Sequence, residues 1–284
     1  MSNHVKNLFI FSSIVFSQHI YSIIPFSAGK IIKKPNHAFM FDQLMGYSGT
    51  QTTTFRKKQN HPCTIICRDL YSKNVVEKTE NNESIIPKIV HIVWIGPKPA
   101  PAIFHECLAS IGKHLSGWEC KIWTDKDIPS LDLVNQEFYN EETNYGAKSD
   151  ILRYELLYKF GGVYLDVDMI VQKPLDNLNN SYEFYTGLEP SNTDCILGNA
   201  IIASVPGHPI LKDCIETIKD HRHFKNILER TGPLHFQKSF FKVLSQGDFK
   251  KIIALPAPFF YPNIKKIEPT AFTVHYWSHS WLVS

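Results

Sequence analysis

No run of five or more basic residues occurs anywhere in the 284 residues, and the formal charge is only +3. A protein that holds nucleic acid by neutralising many phosphates needs a denser footprint, so DNA and RNA are set aside as partners. No zinc pattern is complete either: Cys63-x3-Cys67 has no second pair at a matching spacing. The six cysteines (Cys63, Cys67, Cys107, Cys120, Cys195 and Cys214) permit disulfides in an oxidising compartment. A chain of this size folds without staples, however, and they read as buried free thiols. The 13 histidines are scattered, and only His275 and His279 have a ligand-like spacing. The segment WIGPKPAP is a poor phosphate-cradling loop, which argues against a nucleotidyltransferase, and no acid follows Glu268.

A long apolar run is present once. After Lys6, the stretch from Leu8 to Phe26 is broken by Gln18 and His19 and ends near Ser27-Ala28-Gly29. A basic start, an apolar centre and small residues fit a cleaved secretory signal, while the full run is also just long enough for a membrane anchor. Residues 1–29 are therefore expected to be a signal peptide or anchor, placing the chain in the secretory pathway or at a membrane. Residues 30–84 lack a sustained period and read as a linker or stalk. The charge follows the same division: residues 1–80 hold ten Lys/Arg against four Asp/Glu, and the rest hold 20 against 23. Asn82-Glu83-Ser84 and Asn179-Asn180-Ser181 match the glycosylation sequon.

From residue 85 to 284 the pattern alternates. KIVHIVWIG, closed by Gly96 and Pro97, is written as a buried strand and its turn. Ile103, Cys107, Leu108, Ile111 and Leu115 recur at helical spacing, and WECKIWTD alternates as a second strand. A helix follows from Ala147 to Phe160, with Ser149 as its expected N-cap and Gly161-Gly162 as its stop. GVYLDVDMIV and the later segments continue strand and helix, which predicts an α/β sandwich with a mainly parallel sheet.

Asp166 and Asp168 lie two apart at the end of the strand GVYLDVD. In an extended chain both would project on one face and could share a cation. Hard oxygen ligands suit Mg(II) or Mn(II), usually held by one or two carboxylates plus substrate phosphates. When a nucleoside diphosphate leaves a sugar, a divalent ion stabilises the charge that develops on the phosphate oxygens. Alone, an Asp-x-Asp pair is a weak signal, since most such pairs are solvated turn residues.

Its flanks make it specific. SDILRYELLYKFGGVYLDVD, IPKIVHIVWIG near the start and HYWSHSW at the end stand in the order found in the DXD-containing sugar transferases of glycosyltransferase family 32. That family is similar in its catalytic part to the clostridial glucosylating toxins and to the yeast initiating mannosyltransferase, and the resemblance covers residues 86–284. It implies a GT-A type, Rossmann-like α/β/α fold and metal-dependent transfer of a hexosyl group with retention. The donor would be a nucleotide sugar such as a UDP-hexose or GDP-mannose; the acceptor would be a carbohydrate, lipid-linked or protein hydroxyl. By the same resemblance Asp168 would bind metal and Asp166 would touch the metal and the ribose or sugar. Asp150 and Arg153 would hold the donor sugar and its phosphates, Trp94 would stack beside the base, and Asn199 would lie near the sugar. His275 or Ser280 would complete the metal shell, in place of the carboxylate that the toxins carry there, and Trp281 would cover the diphosphate.

Each residue also has a structural reading. Asp150 and Arg153 three apart make an ordinary helical ion pair, Trp94 and Trp281 would serve as core aromatics, and His275 as a satisfied core histidine. Two other functions share the site: an effector that glycosylates a host protein, and an inactive nucleotide-sugar-binding module that keeps the fold without turnover.

Overall fold

The computed structural model describes residues 37–46, 61–75, 83–190, 195–247 and 250–278. The expected signal or anchor at 1–29 lies outside the described residues, as do Ser280 and Trp281. Among the described residues no helix is long and apolar enough to cross a membrane.

In chain order the elements are helices α1 (His37–Leu44) and α2 (Pro62–Asn74), strand β1 (Ile89–Val93), α3 (Ala102–His114), β2 (Glu119–Trp123), α4 (Gln136–Glu141) and α5 (Tyr145–Phe160). Then come β3 (Gly162–Leu165), β4 (Met169–Val171), α6 (Asp176–Ser181), β5 (Phe184–Leu188), β6 (Leu197–Ser204), α7 (Pro209–Thr217), α8 (Ile227–Arg230), α9 (Pro233–Leu244), β7 (Ile252–Leu255) and β8 (Thr273–His275).

Six strands form the central sheet in the order β2-β1-β3-β6-β5-β7. The β1–β2, β1–β3 and β5–β7 pairs are parallel, and β6 runs antiparallel to both β3 and β5. The fold is thus mixed α/β with a mainly parallel sheet, as the alternation predicted. Every residue of β3, β5, β6 and β7 is buried, which is why these strands read as continuous apolar runs rather than alternating ones. Helix α5 packs across β1, β3 and β6, and α9 across β6 and α7.

The direction of β6 decides where the site forms. Because β1, β3 and β5 all run opposite to β6, the carboxyl ends of β1, β3 and β5 and the amino end of β6 share one edge of the sheet. Trp94, Asp166 and Glu189 each directly follow a strand there, and Asn199 stands at the start of β6. Ligands bind outside the carboxyl ends of strands in open α/β sheets.

Helix α5 begins a turn earlier than the sequence suggested. Asn144, not Ser149, is its N-cap, and its side chain accepts the amide proton of Ala147 at 3.1 Å. Its end matches the reading: Gly161, at φ 64°, caps it with an N–H to the Leu157 carbonyl. Gly162 follows at φ 96°, and a Cβ there would stand 2.5 Å from the Ile89 carbonyl oxygen. Buried His91 fastens the same corner, with Nε2 2.8 Å from the Gly161 oxygen while Nδ1 accepts from Trp123 Nε1 at 3.1 Å. Burial lowers its pKa to about 4, so the ring stays neutral and its tautomer is set by those two partners.

Two sequence expectations need correction, and one motif proves inaccessible. The segment 30–84 contains helices α1 and α2, which pack on each other, with α2 on edge strand β7; they belong to the same compact unit as the sheet. The buried positions of α2 (Cys63, Thr64, Cys67, Leu70, Tyr71) do follow a helical stripe, but two cysteines and a threonine disguise it. Secondly, Cys63 and Cys195 are joined in a disulfide, while Cys67, Cys107 and Cys214 are buried free thiols and Cys120 an exposed one. The Asn179 sequon is closed: the side chain is fully buried, donating to the Ile86 and Pro87 carbonyls and accepting from the Tyr185 hydroxyl.

Candidate active site

The chain leaves β3 at Leu165 and turns, so Asp166 and Asp168 do not share an extended face as expected. The Asp166 N–H still bonds to the Ala200 carbonyl at 2.8 Å, and the Met169 N–H closes back on the Asp166 carbonyl at 3.0 Å. Two-stranded pairing of β4 with β8 then sets Met169 opposite His275. In this way residues over a hundred positions apart are placed beside the Asp-x-Asp turn.

Asp168 is buried and held at both oxygens. His275 Nε2 lies 3.1 Å from Oδ1, and the Ser278 N–H donates to Oδ2 at 2.7 Å. Burial alone would raise its pKa, but these bonds outweigh that and hold it at about 2. Asp166 is more open. Its Oδ1 takes the Tyr164 hydroxyl at 2.9 Å and the Arg153 guanidinium at 3.2 Å. Burial raises its pKa, the arginine and His275 oppose the rise, and the neighbouring Asp168 adds to it.

Arg153 is the hub. Its guanidinium pairs with Asp150 at 3.0 Å, donates to the Asn199 carbonyl, and lies 4.3 Å from the centre of the Tyr164 ring. Asp150 in turn accepts from Asn199 Nδ2 at 2.9 Å and from the Thr231 hydroxyl at 2.9 Å. Burial lifts the Asp150 carboxyl to about 6 despite the arginine and these hydrogen bonds. Arg153 is itself shifted upward, because the two carboxylates and the Tyr164 and Tyr154 rings more than offset its burial.

These groups open on one cavity of about 750 Å³, which Trp94, Asp150, Arg153, Asp166, Asp168, Asn199 and His275 all help to line. That size suits a bound small molecule. Of the residues singled out in the sequence, only Ser280 and Trp281 are not brought here, since they lie outside the described residues. Trp94 forms one wall, its Nε1 donating to the Lys98 carbonyl at 3.0 Å.

Three residues escaped the sequence reading. Trp277, with φ 51°, lines the cavity with its ring centre 4.1 Å from that of His275; it stands within HYWSHSW, where the later Trp281 drew attention. Thr231 has no local signal. Glu189 lines the cavity from the end of β5, and its place just after a strand, YEFYTGLEP, is a signal that could have found it.

One ligand atom from each of Asp166, Asp168 and His275 lies within 4.8 Å of the others. Two carboxylates and an imidazole at that spacing fit a divalent cation whose remaining positions are filled by phosphate and water. The Nδ1 of His275 is buried with no hydrogen-bond partner among the described residues. The proton shared with Asp168 therefore sits on Nε2, where the ring orients the carboxylate, unless a cation takes that place.

The sequence matches known proteins. Residues 101–185, which include Asp150, Arg153 and both aspartates of the turn, match the glycosyltransferase sugar-binding region containing the DXD motif. The chain is 29% identical over 253 residues to inositol phosphoceramide mannosyltransferase 1 of Schizosaccharomyces pombe, covering 84% of this chain and 75% of that protein. An uncharacterised glycosyltransferase of Acanthamoeba polyphaga mimivirus is 25% identical, over 63% of this chain and 74% of its own length. Among solved structures, the PaToxG glycosyltransferase aligns with a TM-score of 0.49 at 21% identity, covering 56% of this chain and 70% of that one. The chain is thus a glycosyltransferase whose residues 101–185 match the sugar-binding region containing the DXD motif.

Proposed function

We propose that the chain moves a hexosyl group from a nucleotide sugar to a hydroxyl of a glycan or glycolipid, with retention of the anomeric configuration and a divalent cation, Mn(II) or Mg(II), at Asp166, Asp168 and His275. The observation that carries this reading is the convergence of those three side chains, beside the buried Arg153, on a single cavity. A cation bound there supplies Lewis-acid stabilisation of the departing diphosphate.

The chain's own residues do the rest. Arg153, held in place by Asp150 and Asp166, adds fixed positive charge beside the leaving group without reorganisation. Asp150 and Asn199, locked to each other, offer hydrogen bonds to the donor sugar, and Trp94 presents a ring for the base. The bond between the anomeric carbon and the phosphate oxygen breaks with its electron pair going to phosphate. The acceptor oxygen bonds to the same face of that carbon, and its proton passes to a diphosphate oxygen. The roles that the family resemblance gives Ser280, in the metal shell, and Trp281, over the diphosphate, fall on residues outside the described ones. The mannosyltransferase similarity favours GDP-mannose as donor and an inositol-bearing lipid as acceptor, and an acceptor of that kind suits a chain held at a secretory-pathway membrane through residues 1–29.

Nucleotide release from UDP-glucose, UDP-galactose, UDP-N-acetylglucosamine and GDP-mannose, with manganese, tests the reading. We expect one donor to be turned over, with Asp168→Asn reducing the rate by at least roughly a thousandfold. A variant that keeps wild-type turnover would remove the cation from these residues.

A further inference from the structure

Beyond the donor site, and resting on the transferase reading above, we propose that Glu189 is the acceptor-binding carboxylate, receiving hydrogen bonds from the hydroxyl groups of the incoming acceptor. The sheet edge carries the argument. In the strand order β1-β3-β6-β5, the residues facing the cavity follow as Trp94, Asp166, Asn199 and Glu189. With strands about 4.8 Å apart, this row spans roughly 14 Å. A donor laid along it with its base at Trp94, its diphosphate at Asp166 and its sugar at Asn199 leaves the last position, Glu189, beyond the sugar.

Glu189 has no donor-side duty to occupy it. Among the described residues its carboxylate has no hydrogen bond or ion pair, whereas Asp150 and Asp168 are each engaged at both oxygens. Its backbone is nevertheless fixed: the N–H bonds across the hairpin to the Ile196 carbonyl at 2.9 Å, and the adjoining Cys195 is tied to α2 by the disulfide. A held, half-buried acid without a partner is costly unless a ligand supplies one. Burial accordingly raises its pKa to about 7, with His275 opposing and Asp166 adding to the rise.

The described residues enclose a second cavity. It holds about 340 Å³ and is lined by Pro190, the very next residue, with Leu44, Met45 and the 257–268 segment. Tyr261 lines this second cavity, and its ring packs against His275 and Trp277 of the first. Glu189-Pro190 and Tyr261 therefore form a wall common to both spaces. An acceptor entering the first cavity beyond the donor sugar would present its hydroxyls to Glu189 against that wall.

The test is a split of Michaelis constants in the full-length chain with manganese. The probes are GDP-mannose as donor and methyl α-D-mannoside, myo-inositol or inositol phosphoceramide in detergent micelles as acceptor, taking whichever of the three is turned over fastest. Glu189→Gln should raise the acceptor KM by tenfold or more and the donor KM by less than threefold. Glu189→Asp should recover part of the loss, and melting curves establish that both variants fold. Unchanged KM values overturn the assignment, and so does a rise confined to the donor, which would place Glu189 on the donor sugar. A wild-type chain that releases nucleotide from no donor of the panel refutes the transferase reading itself, a result separate from either outcome with the variants.

Discussion

Replacing Arg153 by methionine keeps side-chain bulk against the Tyr164 ring while deleting the charge shared by Asp150 and Asp166. The guanidinium stands 3.0 Å and 3.2 Å from these carboxylates. At an effective dielectric near 20, two charges at such a distance attract by about 5 kcal/mol, and desolvation of the arginine offsets part of that. Removing one partner of a buried ion pair costs about 3–5 kcal/mol, because the other charge is left uncompensated. The penalty must depend on pH. Asp150 already has a folded value of about 6, against about 3.9 for an unfolded chain. The folded wild type therefore keeps a proton that the unfolded chain has lost between those values, and its stability falls as pH rises through that window. Without Arg153 the Asp150 value moves higher still and the loss extends toward pH 8. Urea unfolding in EDTA, without nucleotide, should show Arg153→Met less stable than wild type by about 3–5 kcal/mol at pH 8 and by less than half of that at pH 5. A loss below about 1 kcal/mol at pH 8, or an equal loss at both, would refute the view of Arg153 as the counter-charge of the buried Asp150 and the half-buried Asp166.

Two further outcomes follow from the fold. The double variant Cys63→Ser/Cys195→Ser should lose about 2–5 kcal/mol, and its melting temperature, unlike that of the wild type, should not respond to reductant. Gly162→Ala, which sets a methyl against the Ile89 carbonyl at positive φ, should cost roughly 3 kcal/mol; Gly207→Ala, also at positive φ but in open space, should cost about 1 kcal/mol. Equal melting points for the two alanine variants would show that the close approach at Gly162 is not a constraint.

What could be read from the residues was local. The helix stop at Gly161-Gly162 and the strand GVYL are written in neighbouring letters, and so is the spacing of Asp150 and Arg153. The antiparallel insertion of β6 is not, since buried strands look alike whichever way they run, yet it brings Asn199 to Asp150. Nor could spacing show that Asp168 is held by His275 and Ser278, for that contact depends on the pairing of β4 with β8. The Asp-x-Asp turn was taken as extended because a period of two is the simplest reading of two aspartates beside apolar residues. Helix α2 went unseen for a compositional reason, since a stripe that buries cysteine and threonine carries little contrast between faces, and α1, with eight residues, is too short to display a period.

The link from Cys63 to Cys195 has a practical corollary. Helix α2 rests on β7, the last strand of the sheet, and Asn74 donates to the Ile252 carbonyl. A recombinant fragment begun near residue 84, where the composition changes, would strip that cover, leave Cys195 with an unpaired thiol, and bare a strand edge open to pairing with other molecules. The smallest piece worth expressing therefore begins ahead of His37.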